Sequence, residues 1–300
     1  MDVHILVDSA GQEKVRYDSS RFPLYIARGD LLSFPHLSAP CHWHEDLELI
    51  CVQSGRMDYN VDGEITCLQA GEGIFVNSRH LHYGFSHGGK DCSYLCILLQ
   101  PMLLQLNDYI ETSFLSPLLQ NESFPIAHLR PAVSWQREIL ELTERVYQTY
   151  QTQVPGFELD LLSSFYRILA LLCRNMPAQQ HSAVHPARQR ALRRIKAMVS
   201  YMEENLADGV QLAAVAAAAG VSISTCSHLF RRYLHRTPME YLSSLRLDRS
   251  CRWLLETDMP MTDIASELGF SSPSYFAECF RKAYGCPPSE YRRRHRPGPA

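Results

Sequence analysis

A short residue pattern occurs twice in the C-terminal third of this chain of 300 residues. Its first part is Val215-Ala216-x3-Gly220-Val221-Ser222, which recurs as Ile264-Ala265-x3-Gly269-Phe270-Ser271. Its later parts are Phe230-Arg231-Arg232 with Phe280-Arg281-Lys282, and Pro238-x-Glu240-Tyr241 with Pro288-x-Glu290-Tyr291. The offset is 49 residues at first and 50 afterwards, so the second copy has one extra residue in its turn.

The repeated pattern has the physical features of a helix-turn-helix. A small Ala lets two helices cross closely, and a Gly four residues later permits the positive φ of a tight turn. A Ser then caps the second helix, Ser222 in one copy and Ser271 in the other. One copy alone is also compatible with an ordinary helical hairpin. Two copies joined by a long helix over 240–256 predict two helix-turn-helix motifs, at about 212–233 and 261–284.

The charge of the chain is divided between its two parts. Residues 1–186 contain 12 lysines and arginines and 21 aspartates and glutamates, a net charge of −9. Residues 187–300 contain 17 basic and 11 acidic residues, a net charge of +6, and the whole chain has −3. The division is compatible with a chance scatter of surface charge. It also favours a C-terminal domain that faces nucleic acid and an N-terminal domain with a different partner.

Residues 195–294 resemble the DNA-binding domain of the arabinose-operon regulator family (AraC/XylS type). The resemblance is strongest in the stretch Gly269-Phe-Ser-Ser-Pro-Ser-Tyr-Phe-Ala-Glu-Cys-Phe280 and the following Arg-Lys-x-Tyr-Gly-x-Pro-Pro288. It implies that double-stranded DNA of an operator or promoter is a partner, that RNA polymerase is a further one, and that each motif places one recognition helix in the major groove.

By this resemblance the recognition helices run from about Ser224 to Tyr233 and from about Pro273 to Tyr284. The side chains that would face the groove are Ser224, Thr225, Ser227, His228, Pro273, Ser274, Ala277 and Glu278. Those that would contact phosphates are Arg231, Arg232, Arg281 and Lys282. The groove-facing set contains no Arg, Asn or Gln for a bidentate base contact. Glu278 and His228 are therefore either base contacts or solvated residues.

The first hundred residues show the patterns of β-structure. Apolar and other side chains alternate over 47–52, and Asp62-Gly63 between two such runs is typical of a two-residue hairpin turn. Many short strands at this spacing predict a small barrel or sandwich. Residues 101–176 have helical spacing, with amphipathic helices over Trp135–Gln153 and Phe157–Arg174. These helices either pack on the barrel or form a homodimer interface, and both can hold.

A group of potential metal ligands lies in the β-region. The motif His42-x-His44-x3-Glu48-x6-Gly55 is expected on the first strong strand. The period of two of a strand would place His42, His44 and Glu48 on one face. A second histidine pair is His80-x-His82. The motif is similar to the first motif of the cupin family, and the resemblance implies the ligand set His42, His44, Glu48 and His82. The second cupin motif is imperfect, because its usual Pro-x-Gly reads Val76-Asn77-Ser78 here.

Regulators with an AraC-type C-terminus commonly have cupin-like N-terminal barrels that bind an organic effector. The resemblance therefore implies an effector pocket rather than a cofactor site. Its candidate residues are His42, His44, Glu48, Tyr59, His82 and Tyr83. Trp43 is a weaker candidate, because it should face the opposite way. A divalent metal ion at the four cupin positions is the alternative.

We expect an α+β protein: an N-terminal cupin-like β-barrel followed by helices, then an all-α domain with two helix-turn-helix motifs. The expected divisions are 1–176 for effector sensing and dimerisation, 177–187 for a linker and 188–300 for DNA binding. The expected function is a homodimeric, cytoplasmic transcription regulator, an activator by family habit, that is not an enzyme. A metal-dependent cupin dioxygenase or isomerase is the alternative, and a polymerase-interacting module without a ligand is a third. No stretch suits a membrane span or a signal peptide.

Overall fold

The structure is a computed structural model that describes residue 5 and residues 12–177, 186–207 and 209–295. The expected linker 177–187 lies mostly outside the described residues, and the expected domain limits stay predictions. The two halves of the chain differ in secondary structure as the sequence predicts. Strands dominate up to Leu129, and helices account for nearly all regular structure after it.

Seven antiparallel strands form the N-terminal part. They are β1 (Leu24–Asp30), β2 (Leu47–Val61), β3 (Glu64–Gln69), β4 (Gly73–Val76), β5 (His82–Ser86), β6 (Cys92–Leu99) and β7 (Ile126–Leu129). The main path of the sheet runs β1-β6-β2-β4-β7, while β3 and β5 both pair with β2 outside that path. Short helical turns follow β1 and β6, at Leu31–Ser33, Pro35–Leu37, Pro101–Leu104, α1 (Asp108–Ile110), Glu111–Leu115 and α2 (Ser116–Leu119).

Strand β2 takes part in both layers of this domain. Its first half pairs with β4 and β6, and its second half pairs with β3 and β5. The register shifts between Val52 and Ser54, and Gly55 follows with φ +78. A Cβ at Gly55 would lie 2.5 Å from the carbonyl oxygen of Asp91, so only glycine fits this corner. The corner folds the strands around a common interior.

The predicted hairpin is confirmed. Asp62 and Gly63 connect β2 to β3 and have φ of +51 and +89, as a two-residue primed turn requires. The alternating stretch 47–52 is buried on both faces rather than on one. Ile50 and Val52 face the interior of the domain, whereas Leu47 and Leu49 face two long helices.

These two helices are α3 (Ser134–Thr152) and α4 (Phe157–Asn175), and both were predicted. Their apolar faces pack on the outer surface of the sheet, through residues such as Ile139, Val146 and Phe165. Of the two alternatives left open by the sequence, the structure therefore shows that α3 and α4 pack on the β-domain. The sequence predicts only helix in the region that contains strand β7. These four residues form a strand instead, because they pair with β4 at the edge of the sheet.

The C-terminal part consists of helices. They are α5 (Pro186–Glu204), α6 (Leu212–Ala218), α7 (Ile223–Leu234), α8 (Pro238–Glu256), α9 (Met261–Glu267), α10 (Pro273–Tyr284) and α11 (Pro288–His295). Helix pairs α6–α7 and α9–α10 are the two predicted motifs, and α8 connects them. Within the described ranges no single helix is long and apolar enough to cross a membrane. The pair α6 and α7, bent by 81°, meets the same criteria of length and composition only when taken together.

The two motifs belong to different apolar clusters. Buried side chains of α5, α6, α7 and the first half of α8 continue into the interior of the N-terminal domain, with Phe230 and Leu242 as members. The second motif has a cluster of its own, which contains Ile264, Phe276 and Phe280. Helix α8 contributes to both, with Leu245 in the first cluster and Leu247 in the second.

Candidate functional site

Three histidines meet in the interior of the N-terminal domain. His42 and His44 do not lie on the first strong strand, as the sequence analysis expected, because β2 begins only at Leu47 after a bend at 45–46. The backbone of His42 pairs instead with that of His82, with N–H to O distances of 3.1 and 2.9 Å in the two directions. This bridge, rather than the period of a strand, brings the two histidine pairs of the sequence together.

The imidazoles and one carboxylate converge on a single point. One ring nitrogen from each of His42, His44 and His82 lies within 4.8 Å of the others. Glu48 Oε2 lies 3.0 Å from His82 Nε2 and 3.9 Å from His44 Nε2. All four side chains are buried. We call these four residues the histidine centre.

Backbone carbonyls set the tautomer of each histidine. The Nδ1 atoms of His42, His44 and His82 lie 2.9, 3.1 and 2.8 Å from the carbonyl oxygens of Pro40, Asp46 and His80. A carbonyl oxygen only accepts, so each Nδ1 carries the proton and donates it. In the neutral rings, the three Nε2 lone pairs therefore face the middle of the centre.

Burial and neighbouring charges shift the pKa values here. Burial, and then the neighbouring His82, lower the pKa of His44 to about 3, and the same causes lower that of His42. Burial alone would raise the pKa of Glu48, but the imidazoles, His82 foremost, lower it to about 2. Burial alone would lower the pKa of His82, but Glu48 reverses this and raises it. In the absence of another cation, His82 and Glu48 thus form an ion pair.

A second carboxylate at the centre was not predicted. Glu13 comes from the segment 12–18, far from the motif in sequence, and its Oε2 lies 3.5 Å from His42 Nε2 and 4.0 Å from His44 Nε2. Burial, and then the charge of Glu48, raise its pKa well above the ordinary value. No spacing rule links Glu13 to the histidines, so the sequence offers no signal for it.

The enclosed space beside the centre is small. A cavity of about 30 Å³ is lined by Glu13, His42, Glu48 and Tyr59 together with apolar side chains. That is room for one or two water molecules or an ion. Tyr59 donates its hydroxyl to Glu48 at 3.0 Å, as a pocket residue would.

Two of the sequence candidates lie away from the cavity. The Tyr83 hydroxyl points outward and donates to the Leu234 carbonyl at the end of α7, at 2.8 Å. The ring of Trp43 faces the opposite way from its neighbouring histidines, as expected, and lies 4.2 Å from the ammonium of Lys196 in α5.

The donor set of the centre fits a divalent transition metal ion. Neutral imidazole and carboxylate are the ligands that such ions take, and each imidazole is already oriented by a hydrogen bond from its other nitrogen. His42, His44, His82 and Glu48 would hold the ion. A bound ion would supply positive charge where the lone pairs converge and an open coordination position for an anionic or oxygen ligand.

Both helix-turn-helix motifs have the predicted turn geometry. Gly220 and Gly269 have φ of +62 and +71. Ser222 caps α7 by accepting a hydrogen bond from the Thr225 N–H. In the second copy the cap is Ser272 rather than the predicted Ser271, and it accepts from the Tyr275 N–H at 3.1 Å. The extra residue of that copy lies before the cap, so the offset of 50 already applies there.

The residues predicted to contact DNA lie on the accessible sides of α7 and α10. The exposed ones are Ser224, His228, Arg231, Arg232, Pro273, Ser274, Glu278, Arg281 and Lys282. The half-buried ones are Thr225, Ser227 and Ala277. The basic residues form the last turns of the two helices.

Hydrogen bonds join the histidine centre region to the first motif. The Tyr241 hydroxyl of α8 donates to the carbonyl of Cys41 at 3.1 Å, and Cys41 precedes His42. Tyr83, which donates to Leu234, follows His82. Two residues of the centre are therefore direct sequence neighbours of the residues that contact α7 and α8.

Comparison with known proteins matches both parts of the chain. Residues 215–294 match the family described as helix-turn-helix domain, and residues 29–98 match the cupin domain family. The HTH-type transcriptional regulator YdeC of Bacillus subtilis, itself uncharacterised, is 25% identical over 85% of this chain and 86% of its own length. The activator RhaS of Enterobacter sp. is 24% identical over 86% of this chain and 89% of its own.

A solved AraC-type regulator structure from Chromobacterium violaceum is 31% identical and covers 36% of this chain and 97% of its own, with a TM-score of 0.34. The sequence matches span both domains, and the named relatives regulate transcription. The fold agrees with the two matched domain families, because a cupin-like sheet precedes two helix-turn-helix units. The chain therefore belongs to the AraC family of transcription regulators, with a cupin domain before its DNA-binding domain.

Proposed function

We propose that the chain regulates transcription by binding double-stranded DNA through α7 and α10, under the control of an effector at the histidine centre. Five of the eight predicted groove-facing side chains are exposed, which supports the first part. The four basic residues Arg231, Arg232, Arg281 and Lys282 are exposed at matched positions of the two helices, where they suit phosphate contacts.

The observation that supports control of DNA binding is that His42 and His82 are sequence neighbours of Cys41 and Tyr83, which are hydrogen-bonded to α8 and α7. A change in position of His42 or His82 moves the backbone of Cys41 or Tyr83, which are bonded to α8 and α7. An effector acts on DNA affinity only if it binds two arrangements of this contact unequally. Because the cavity holds only about 30 Å³, an organic effector would have to displace part of its lining, such as the segment with Glu13.

The test of this control uses the full chain. Genome-wide mapping of bound DNA with and without candidate metabolites identifies an operator and an effector. Operator affinity is then measured for wild type, His44→Ala and the surface control His87→Ala, each with and without that effector. We expect His44→Ala to keep its DNA affinity and lose the response, while His87→Ala keeps both. An unchanged response in His44→Ala would remove His44 from the site.

The homodimer is a further part of the proposal. Packing on the sheet uses only one face of α3 and α4, and Val154 and Leu159, at their junction, are 52% and 71% exposed. A second copy would cover such apolar side chains. Sedimentation of wild type and Leu159→Glu tests this, with Leu32→Glu, an exposed leucine outside α3 and α4, as control. A wild-type monomer at working concentrations would contradict it.

Activation, contact with RNA polymerase and a cytoplasmic location follow from this function as proposals. So does the absence of enzymatic activity. The competing function is a metal-dependent cupin dioxygenase or isomerase, favoured by the histidine centre alone. Elemental analysis combined with oxygen uptake distinguishes the two: stoichiometric iron or manganese together with oxygen consumption would favour the enzyme.

A further inference from the structure

The histidine centre is rich in acceptor atoms and poor in donors. His44 Nε2 and His82 Nε2 are fully buried and make no hydrogen bond within the part of the chain that is described. Glu48 Oε2 is 3.0 Å from His82 Nε2, and two acceptor atoms at this distance need a proton or a cation between them. A proton on His82 pairs that ring with Glu48 and leaves the nitrogen of His44 unsatisfied. Buried polar atoms without partners are costly, so the arrangement points to a cation among them.

Glu13 is held at this centre by its own backbone. Its N–H donates to the carbonyl of Trp43 at 2.8 Å, and Trp43 lies between the two histidines of the first motif. Tyr17, four residues after Glu13, donates its hydroxyl to Asp46 at 2.6 Å. The carboxylate of Glu13 is thereby directed inward, and its side chain is only 9% exposed.

The charges explain why a second carboxylate belongs there. A divalent cation with three neutral imidazoles and Glu48 alone leaves a buried net charge of +1. Glu13 brings that charge to zero, and an uncompensated buried charge is strongly unfavourable. Without a cation, two carboxylates share one buried site, which is unfavourable for the opposite reason.

The geometry agrees with shared coordination. Metal bonds to nitrogen and oxygen are about 2.0–2.2 Å long, so two ligands of one ion lie at most about 4.3 Å apart. Each carboxylate meets this limit with two imidazoles: Glu13 lies 3.5 and 4.0 Å from His42 and His44, and Glu48 lies 3.9 and 3.0 Å from His44 and His82. The atoms that all lie within 4.8 Å of one another are those of the three histidines, and each carboxylate adjoins this group.

We propose that Glu13 is a fifth ligand of a divalent transition metal ion held by the histidine centre, and that this bond fixes segment 12–18 over the site. The inference rests on the proposed function, because it names the class of ligand that the centre binds. It adds a residue outside both cupin motifs to the ligand set. The imidazole-rich set favours zinc, nickel, iron or cobalt over magnesium or calcium.

The first experiment measures Zn²⁺ affinity of the full chain after treatment with a chelator, by competition with a chromophoric chelator. We expect wild type to bind one Zn²⁺ per chain and His82→Ala to lose this binding. Glu13→Gln keeps the size of the side chain and should bind about 10–100-fold more weakly. Glu45→Gln is the matched control, because Glu45 lies between His44 and Glu48 in the sequence but pairs with Arg79 at the surface, and its affinity should be unchanged.

The second experiment needs no variant at the site. Lys14 and Arg16 follow Glu13 in the sequence and are exposed. Trypsin should cleave after them about tenfold more slowly in Zn²⁺-loaded wild type than in chelated wild type. In Glu13→Gln, Zn²⁺ should give no such protection. If Glu13→Gln does not fold, the wild-type comparison still tests whether bound Zn²⁺ fixes this segment, and absence of protection would overturn the proposal.

The outcomes separate the inference from the proposed function. Zn²⁺ binding by wild type with equal affinity in Glu13→Gln, or without protection of Lys14 and Arg16, would overturn the role of Glu13. The absence of any Zn²⁺ binding would overturn the metal centre itself. Neither result touches DNA binding, which is measured on the operator in separate experiments. Loss of operator binding in wild type would instead contradict the proposed function.

Discussion

Single hydrogen bonds decide which atom each residue of the centre offers. The carbonyl oxygens of Pro40, Asp46 and His80 take the Nδ1 protons and leave Nε2 for the interior. The cupin resemblance named His42, His44, Glu48 and His82, and the structure brings these four side chains together. Tyr83 was also named for the pocket, but its side chain points to α7 because neighbours on a strand face opposite ways. Glu13 depends on a contact between distant segments that no local pattern encodes.

The matched basic residues provide a prediction at this scale. Arg231→Ala and Arg281→Ala should each weaken binding of operator and random DNA about equally, because phosphates are the same in both. Each should also lower the slope of log affinity against log salt by about 1. Arg28→Ala, on β1 beside Glu144, is the control and should change neither quantity. Relaxed specificity with an unchanged slope would mean that the altered arginine contacts a base.

Elements in this chain follow local rules closely. The glycines at the turns, the small Ala216 and Ala265 at the crossings and the Asp62-Gly63 hairpin were all predictable from residue chemistry. Strand β7 and the start of β2 were not, because edge pairing and a bend in the chain decided them. The cap of α10 lay between these cases: the extra residue in the turn was predicted, but the cap was assigned to Ser271 instead of Ser272.

The cap assignment leads to a direct comparison. Ser272→Ala should destabilise the chain by about 1 kcal/mol, because the N–H of Tyr275 loses its acceptor. Ser271→Ala, one residue earlier and exposed, should leave stability within about 0.5 kcal/mol of wild type. Chemical denaturation of the two variants measures the difference. An equal loss in both would contradict the cap at Ser272.

The corner of β2 supplies a second element-scale prediction. Gly55→Ala combines a positive φ with a Cβ placed 2.5 Å from a backbone oxygen, and should cost about 3 kcal/mol or more. Gly71→Ala is the matched control: its φ is +85 and the space around it is open, so it should cost only about 1 kcal/mol. Thermal unfolding of both variants separates the steric part from the conformational part. Similar losses would show that the corner tolerates a side chain.

On the scale of the whole molecule, the two domains are less independent than their separate sequence patterns imply. The α+β division and the two motifs were predictable because each depends on its own local pattern. The shared apolar cluster was not, since it depends on how α5 to α8 meet the interior of the sheet. Helix α8 joins a motif that is packed on the N-terminal domain to one whose cluster is separate.

The inter-domain hydrogen bonds can be removed without changing the packing. Tyr83→Phe and Tyr241→Phe should each cost about 1 kcal/mol, because each leaves a buried carbonyl without a donor. Both should also reduce the change in operator affinity that the effector produces. Tyr109→Phe, whose ring is exposed, is the control for both measurements. Loss of stability with a full effector response would show that control of DNA binding takes another route.

The shared cluster also bears on how such chains can be recombined. A DNA-binding domain grafted from a relative would bring its own α7 and α8 surfaces, and these would meet a foreign interior at Phe230, Tyr241 and Leu242. A graft that starts inside the second half of α8 instead exchanges the separate cluster around Phe276 and Phe280, together with the contact of α10 with Pro35–Leu37. The practical seam for building hybrid regulators from this protein therefore lies within a helix, between Leu245 and Leu247, rather than in the stretch between the domains.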